Sequence, residues 1–195
     1  MNYGFLYGVC WVIFHLWHPI FRVKGRQNVP QGSFLLCANH RGMADPFWIL
    51  LALRLPRIPR IMAKDVLMHI PLLGSLLRYL GVIGVKRGEN DLNAVKASLR
   101  ALKNGETLMI FPEGTRVKCG KTAAPKSGAI MLAHRTNTPI LPVYIEQKRF
   151  PFSPMRCVIG EPYSVTFDGE KPSIAQQHEA AQELMQKIYA LGEEK

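Results

Sequence analysis

Apolar positions along the chain fall into short runs and helical stripes. Phe34 to Ala38 is an uninterrupted apolar run of strand length. Val82–Lys86 and Glu106–Phe111 read the same way, Arg60–Ala63 as a shorter strand. Thr138–Ile145 is a further strand, and its two prolines mark it as irregular or near an edge. Arg156–Gly160 and Tyr163–Phe167 read as two final strands, close enough to form a hairpin. Between these runs lie helices: Pro46 to about Arg54, the strongly apolar Pro71–Leu80, Ser127 to about Arg135, and a closing helix after Ser173 with Leu184, Ile188 and Leu191 on one face. Asp91 caps an amphipathic helix with Leu92, Val95, Leu99 and Leu102 at spacings of three and four, ended by Asn104-Gly105. Strands alternating with helices predict an α/β fold, a single domain with a mostly parallel mixed sheet flanked by helices.

The first stretch departs from this alternation. Tyr3 to Phe21 is almost continuously apolar, broken by Gly4, Gly8, His15, His18 and Pro19. It has neither the basic start nor the A-x-A site of a signal peptide. A crossing helix needs about 20 predominantly apolar residues. The tryptophans and histidines fit a segment seated at a membrane interface better; the alternative is a helix packed on the domain. The expected organisation is an apolar membrane-associating segment at 1–21 and a domain at 22–195, with Arg22–Gly25 as the connection. No repeat, low-complexity tract or internal linker interrupts it.

A chain of 195 residues, 48% hydrophobic, is long enough for one domain with a sizeable core. Lys and Arg number 25 against 14 Asp and Glu, a formal charge of +11. That balance favours anionic partners: phosphate-bearing substrates, acidic membranes or an acidic carrier protein. Without zinc-finger spacing, an RNP-like aromatic motif or a Lys/Arg tail, nucleic acid is not expected. Cys10, Cys37, Cys119 and Cys157 show no CxxC or metal spacing, so no metal is expected. Cys37 and Cys157 lie in apolar runs as core thiols. Nothing in the cysteine pattern suggests a disulfide framework, so a reducing, cytoplasm-facing location is the expectation.

The chemistry is concentrated where strands end. After Phe34–Ala38 comes Asn39-His40-Arg-Gly-Met-Ala-Asp45-Pro46. Residues five apart on one helix would diverge by about 140°. On a strand-turn-helix corner they can meet. A carboxylate holding one ring N–H makes His40 a general base; Asp45 as a helix cap and His40 as a turn residue is the other reading. Lys86-Arg87 and Pro112-Glu113-Gly114-Thr115-Arg116 end two more strands, and ligands of open α/β sheets gather outside such ends. Arg87 and Arg116 suit phosphate contacts, Glu113 could orient them or bind a hydroxyl, and Gly114 permits close backbone approach. Lys118, Lys121 and Lys126 make the following loop basic.

Asn39–Asp45 resembles the His-x4-Asp motif of the glycerolipid acyltransferase family, and Phe111-Pro-Glu-Gly-Thr-Arg116 its second hallmark. Gly84-Val-Lys-Arg87 is similar to its arginine-bearing block and Pro139-Ile-Leu-Pro142-Val to its fourth. The likeness runs from about Val23 to Phe167 and is strongest to the lysophosphatidic acid acyltransferase group. It implies transfer from an acyl-CoA or acyl-carrier-protein thioester to a lysophospholipid hydroxyl, with His40 as base and Asp45 orienting it. Arg87, Glu113, Gly114, Thr115, Arg116 and Lys126 would bind the acceptor, and Pro142 would be structural or on the acyl side. No cofactor beyond the acyl donor is implied, and the enzyme would work on the cytoplasmic face of a membrane. Val117-Lys118-Cys119-Gly120 departs from many relatives, and Cys119 is the one cysteine placed to act as a nucleophile; direct transfer is the expectation. Other acceptors (a lyso-ornithine lipid, lysophosphatidylcholine, glycerol 3-phosphate) or a non-catalytic lipid-binding member are the alternatives. A serine hydrolase would need a G-x-S-x-G elbow.

Overall fold

A computed structural model describes residues 3–86, 91–117, 123–146, 152–167 and 172–193. In chain order its elements are α1 (Tyr3–Trp17), β1 (Phe21–Lys24), β2 (Leu35–Ala38), α2 (Asp45–Leu53), β3 (Arg60–Lys64), α3 (Leu73–Tyr79), β4 (Ile83–Val85), α4 (Leu92–Lys103), β5 (Leu108–Ile110), α5 (Gly128–Thr136), β6 (Ile140–Ile145), β7 (Met155–Ile159) and α6 (Ile174–Glu193). The strands form one sheet in the order β1-β7-β6-β2-β5-β3-β4. From β6 to β4 every pair is parallel, so β2, β5 and β4 all end at the same edge. β7 turns antiparallel to β6, and β1 follows β7 in parallel.

Period-two alternation divides β2 between two cores, as it must when both faces of a sheet are covered. Phe34, Leu36 and Ala38 pack with Trp48, Ile49 and Ala52 of α2, and Tyr7, Cys10 and Phe14 of α1 lie against them. Leu35 and Cys37 pack with Ile130 and Ala133 of α5 and with Leu184 and Ile188 of α6. Cys37 and Cys157 are fully buried, and burial pushes both thiols up. Asp91 caps α4 by accepting from the Ala94 amide, 3.0 Å away.

Several details differ from expectation. Arg22–Lys24 is not a connection but most of β1: Phe21 and Val23 turn to the core while Arg22 and Lys24 alternate outward, a pattern four residues long. α1, within the 1–21 segment, packs on the same core as the rest of the chain. No helix among the described residues is long and apolar enough to cross a membrane. β4 is half-buried rather than buried, because it is the last strand of the sheet. β6 is an interior strand, neither irregular nor at an edge, despite its prolines. Pro139 precedes it, and the Pro142 carbonyl accepts from Gly160, one residue beyond β7, so the missing N–H falls past the end of that ladder. Tyr163–Phe167 forms no strand. Tyr163 exchanges one antiparallel bridge with Ile140, where β6 begins, and no hairpin forms.

Candidate active site

β2 is pinned at its end by Asn39. This fully buried side chain donates to the Ile145 carbonyl at 2.9 Å and accepts from the Ile145 amide at 2.8 Å, fastening the end of β2 to the end of β6. The next residue, His40, is therefore delivered at the sheet edge on a fixed backbone. The chain turns sharply and enters α2 at Asp45-Pro46, where proline fits the first helical turn.

That turn brings His40 and Asp45 together. His40 Nδ1 lies 3.0 Å from Asp45 Oδ2. The same oxygen accepts from the amides of Arg41 at 2.6 Å and Gly42 at 2.7 Å. Asp45 is only 3% exposed and makes no cap hydrogen bond to α2, whose capping position is Ala44. The helix-cap reading of Asp45 is thus corrected: its carboxylate organises the turn before the helix. With Nδ1 donating to Asp45, Nε2 keeps its lone pair and has no hydrogen-bond partner among the described residues. Phe111, just past β5, stacks on the imidazole with centroids 4.1 Å apart.

The loop after β5 lies beside this turn because β5 pairs with β2. Glu113 is 3% exposed, and both its oxygens are engaged. Oε2 accepts from the His40 amide at 2.7 Å and Oε1 from the Tyr189 hydroxyl at 2.5 Å. In this placement Glu113 braces the backbone of His40. Burial pushes its carboxyl above the ordinary range, and the bonds from Tyr189 and His40 pull it back down. Val117 closes the link by donating to the His40 carbonyl at 2.8 Å.

Gly114 has φ +64°, and a Cβ there would meet Lys126 Cε at 3.0 Å. Its freedom therefore serves the Lys126 side chain, which passes directly over the loop. Thr115, Arg116 and Lys126 are exposed, and neither cation has a side-chain partner among the described residues. Together they present positive charge beside His40, as a phosphate site requires. Arg87, Lys118, Cys119 and Lys121 lie outside the described residues. Pro142 is buried opposite Cys37 in the ladder. That puts it about 10 Å back along the sheet from His40 at 3.3 Å per residue, in surroundings that support the structural role.

Tyr189, Phe111 and Val117 escaped the reading of the sequence. Phe111 opens the second hallmark and Val117 follows it, but neither is polar enough to have been given a role there. Tyr189 lies on α6 with only a helical apolar stripe around it, and no local signal marks it.

Residues 20–146 match the family model described as Acyltransferase. The chain is 37% identical over 125 residues to a 1-acyl-sn-glycerol-3-phosphate acyltransferase of Borreliella burgdorferi, covering 62% of this chain and 49% of that one. Similarity to the protein of the same description from Bacillus subtilis is 29% over 147 residues, 72% of each chain. The matched stretch thus spans about half of the Borreliella relative, and 36% of a chloroplastic relative from Arabidopsis thaliana. The crystal structure of the 1-acyl-sn-glycerophosphate (LPA) acyltransferase from Thermotoga maritima matches 97% of this chain and 78% of its own, with a TM-score of 0.73 and 27% identity.

Proposed function

This chain belongs to the acyltransferase family, and on that premise we propose that it acylates the free hydroxyl of 1-acylglycerol 3-phosphate to form phosphatidic acid. The observation that carries this reading is the His40–Asp45 pair, set on a braced turn beside the exposed Arg116 and Lys126. The names of the matched relatives favour the acceptor. The donor is an acyl thioester, on coenzyme A or an acyl carrier protein.

In this mechanism the acceptor hydroxyl gives its proton to His40 Nε2. Asp45 stabilises the imidazolium through the Nδ1 hydrogen bond. The oxygen attacks the thioester carbonyl, the C–S bond breaks, and the imidazolium proton passes to the departing thiolate. An ester and a free thiol result, with no net proton change. Arg116 and Lys126 hold the acceptor phosphate, which places its hydroxyl next to Nε2. None of the described cysteines competes as nucleophile: Cys37 and Cys157 are sealed in the core, and Cys10 sits on α1 with its thiol raised by burial.

We place the reaction at a membrane surface. The outer side of α1 exposes Val9, Val12, Ile13 and Leu16, and Met43 and Phe47 are exposed around the catalytic turn. Incubating purified protein with labelled acyl-CoA or acyl-carrier protein and a panel of lysolipids tests the reading. Label should enter phosphatidic acid. Preferential acylation of lysophosphatidylcholine, a lyso-ornithine lipid or glycerol 3-phosphate would replace the acceptor, and no transfer to any would end the proposal.

A further inference from the structure

We propose that Tyr189 is a positioning residue for the acyl transfer proposed above, on which this inference rests: through Glu113 it holds the backbone of His40 in place from the opposite end of the chain. The path is short and continuous. The Tyr189 hydroxyl donates to Glu113 Oε1 at 2.5 Å, and Glu113 Oε2 accepts from the His40 amide at 2.7 Å. Tyr189 is itself held in register by its helix, since Leu184 and Ile188 of α6 are fully buried against the sheet. The Arg41 guanidinium, in the same turn as His40, lies 5.7 Å from the centre of the Tyr189 ring. One tyrosine thus touches the catalytic turn directly and through a carboxylate.

A packing role alone would not need the hydroxyl. Glu113 is 3% exposed, and a buried carboxylate requires hydrogen-bond donors to stay ionised. The titratable and charged groups facing it are Tyr189 from α6, and His40 and Arg41 from the turn after β2. Burial already raises the Glu113 carboxyl, and the tyrosine hydroxyl opposes that shift. The Tyr189 phenol, pushed up to about 12 by its own burial and by Glu113, remains a donor throughout the working range. Without it Glu113 takes up a proton at higher pH. A neutral carboxyl is the weaker acceptor for the His40 amide, and the imidazole loses its fixed approach to the acceptor hydroxyl. Misplacement of this kind lowers turnover more than binding.

Tyr189→Phe therefore should lower kcat about tenfold, with acceptor and donor KM within about twofold, and move the acid limb of the pH–rate profile upward. NMR of the ¹⁵N-labelled His40 amide across pH follows the ionisation of its Glu113 acceptor without any substrate; the midpoint should rise in the variant. In a Glu113→Gln background the same substitution should cost little more, because no carboxylate is left to hold. An active wild type whose His40 amide titrates identically in Tyr189→Phe overturns this role alone, as does an equal loss of kcat in both backgrounds. A wild type that acylates no lysolipid ends the functional reading and this role with it.

Discussion

Asp45 Oδ2 receives three hydrogen bonds at once, from His40 Nδ1 and from the amides of Arg41 and Gly42. Because all three converge on one oxygen, an asparagine can offer its carbonyl at the same place and keep the turn. Asp45→Asn therefore isolates the charge: the turn should persist, while kcat falls at least about tenfold through loss of a charge-assisted bond to the forming imidazolium. His40→Ala should cost about 10²–10⁴-fold with an unchanged melting temperature, the usual contribution of a general base. Steady-state kinetics beside thermal melts check both, and near-normal turnover in His40→Ala would exclude it as the base. Arg116 stands exposed beside this pair, so its contact with a phosphate is partly screened by water. Arg116→Ala should raise acceptor KM about tenfold, the low end for a charge-assisted bond. Arg116→Lys should recover only part, because an ammonium lacks the two-pronged geometry. If donor KM rises instead, the cation serves the carrier's phosphates.

At the scale of elements, α1 has one packed face and one exposed face. Tyr7, Cys10 and Phe14 face the core, and Phe14 meets the Trp48 ring edge-on with centroids 4.9 Å apart. Val9, Val12, Ile13 and Leu16 face outward, between 40% and 71% exposed. Deleting residues 1–21 would remove both faces and the first residue of β1, confounding anchor with fold. Replacing the four outward residues by glutamine separates them: the melting temperature should hold while sedimentation with lipid vesicles drops. Full retention on vesicles would move the anchor to the apolar surface around α3, where Leu72 and Tyr79 are exposed.

At the scale of the whole molecule, the parallel centre of the sheet sends the ends of β2 and β5 to one edge, and the His40 turn and the Arg116 loop become neighbours there. The chain as a whole carries a net +11, a balance that favours anionic partners, acidic lipid among them. Binding to vesicles containing acidic lipid should weaken as salt rises toward about 1 M, where the screening length is about 3 Å. The residual binding should belong to α1 and vanish in its glutamine variant. Binding indifferent to salt would assign the attachment to apolar contact alone.

What the sequence determined by itself was whatever one short segment encodes. The apolar run of β2, the Asp91 cap of α4 and the His40–Asp45 pairing are legible because each depends on residues a few positions apart, and the α/β alternation because it is a succession of such segments. Even there, the turn reassigned Asp45 from capping a helix to gathering amides. Tertiary structure alone decided the rest. β1 is four residues of modest alternation that become a strand only because β7 lies beside them. Pro142 is tolerated inside β6 because β7 stops where the absent donor would point. The brace on His40 joins residues 73 apart through Glu113 and 76 further apart through Tyr189. No local pattern carries such a bond, since a hydrogen bond to a buried carboxylate exists only after both helix and loop have been packed against the same sheet edge.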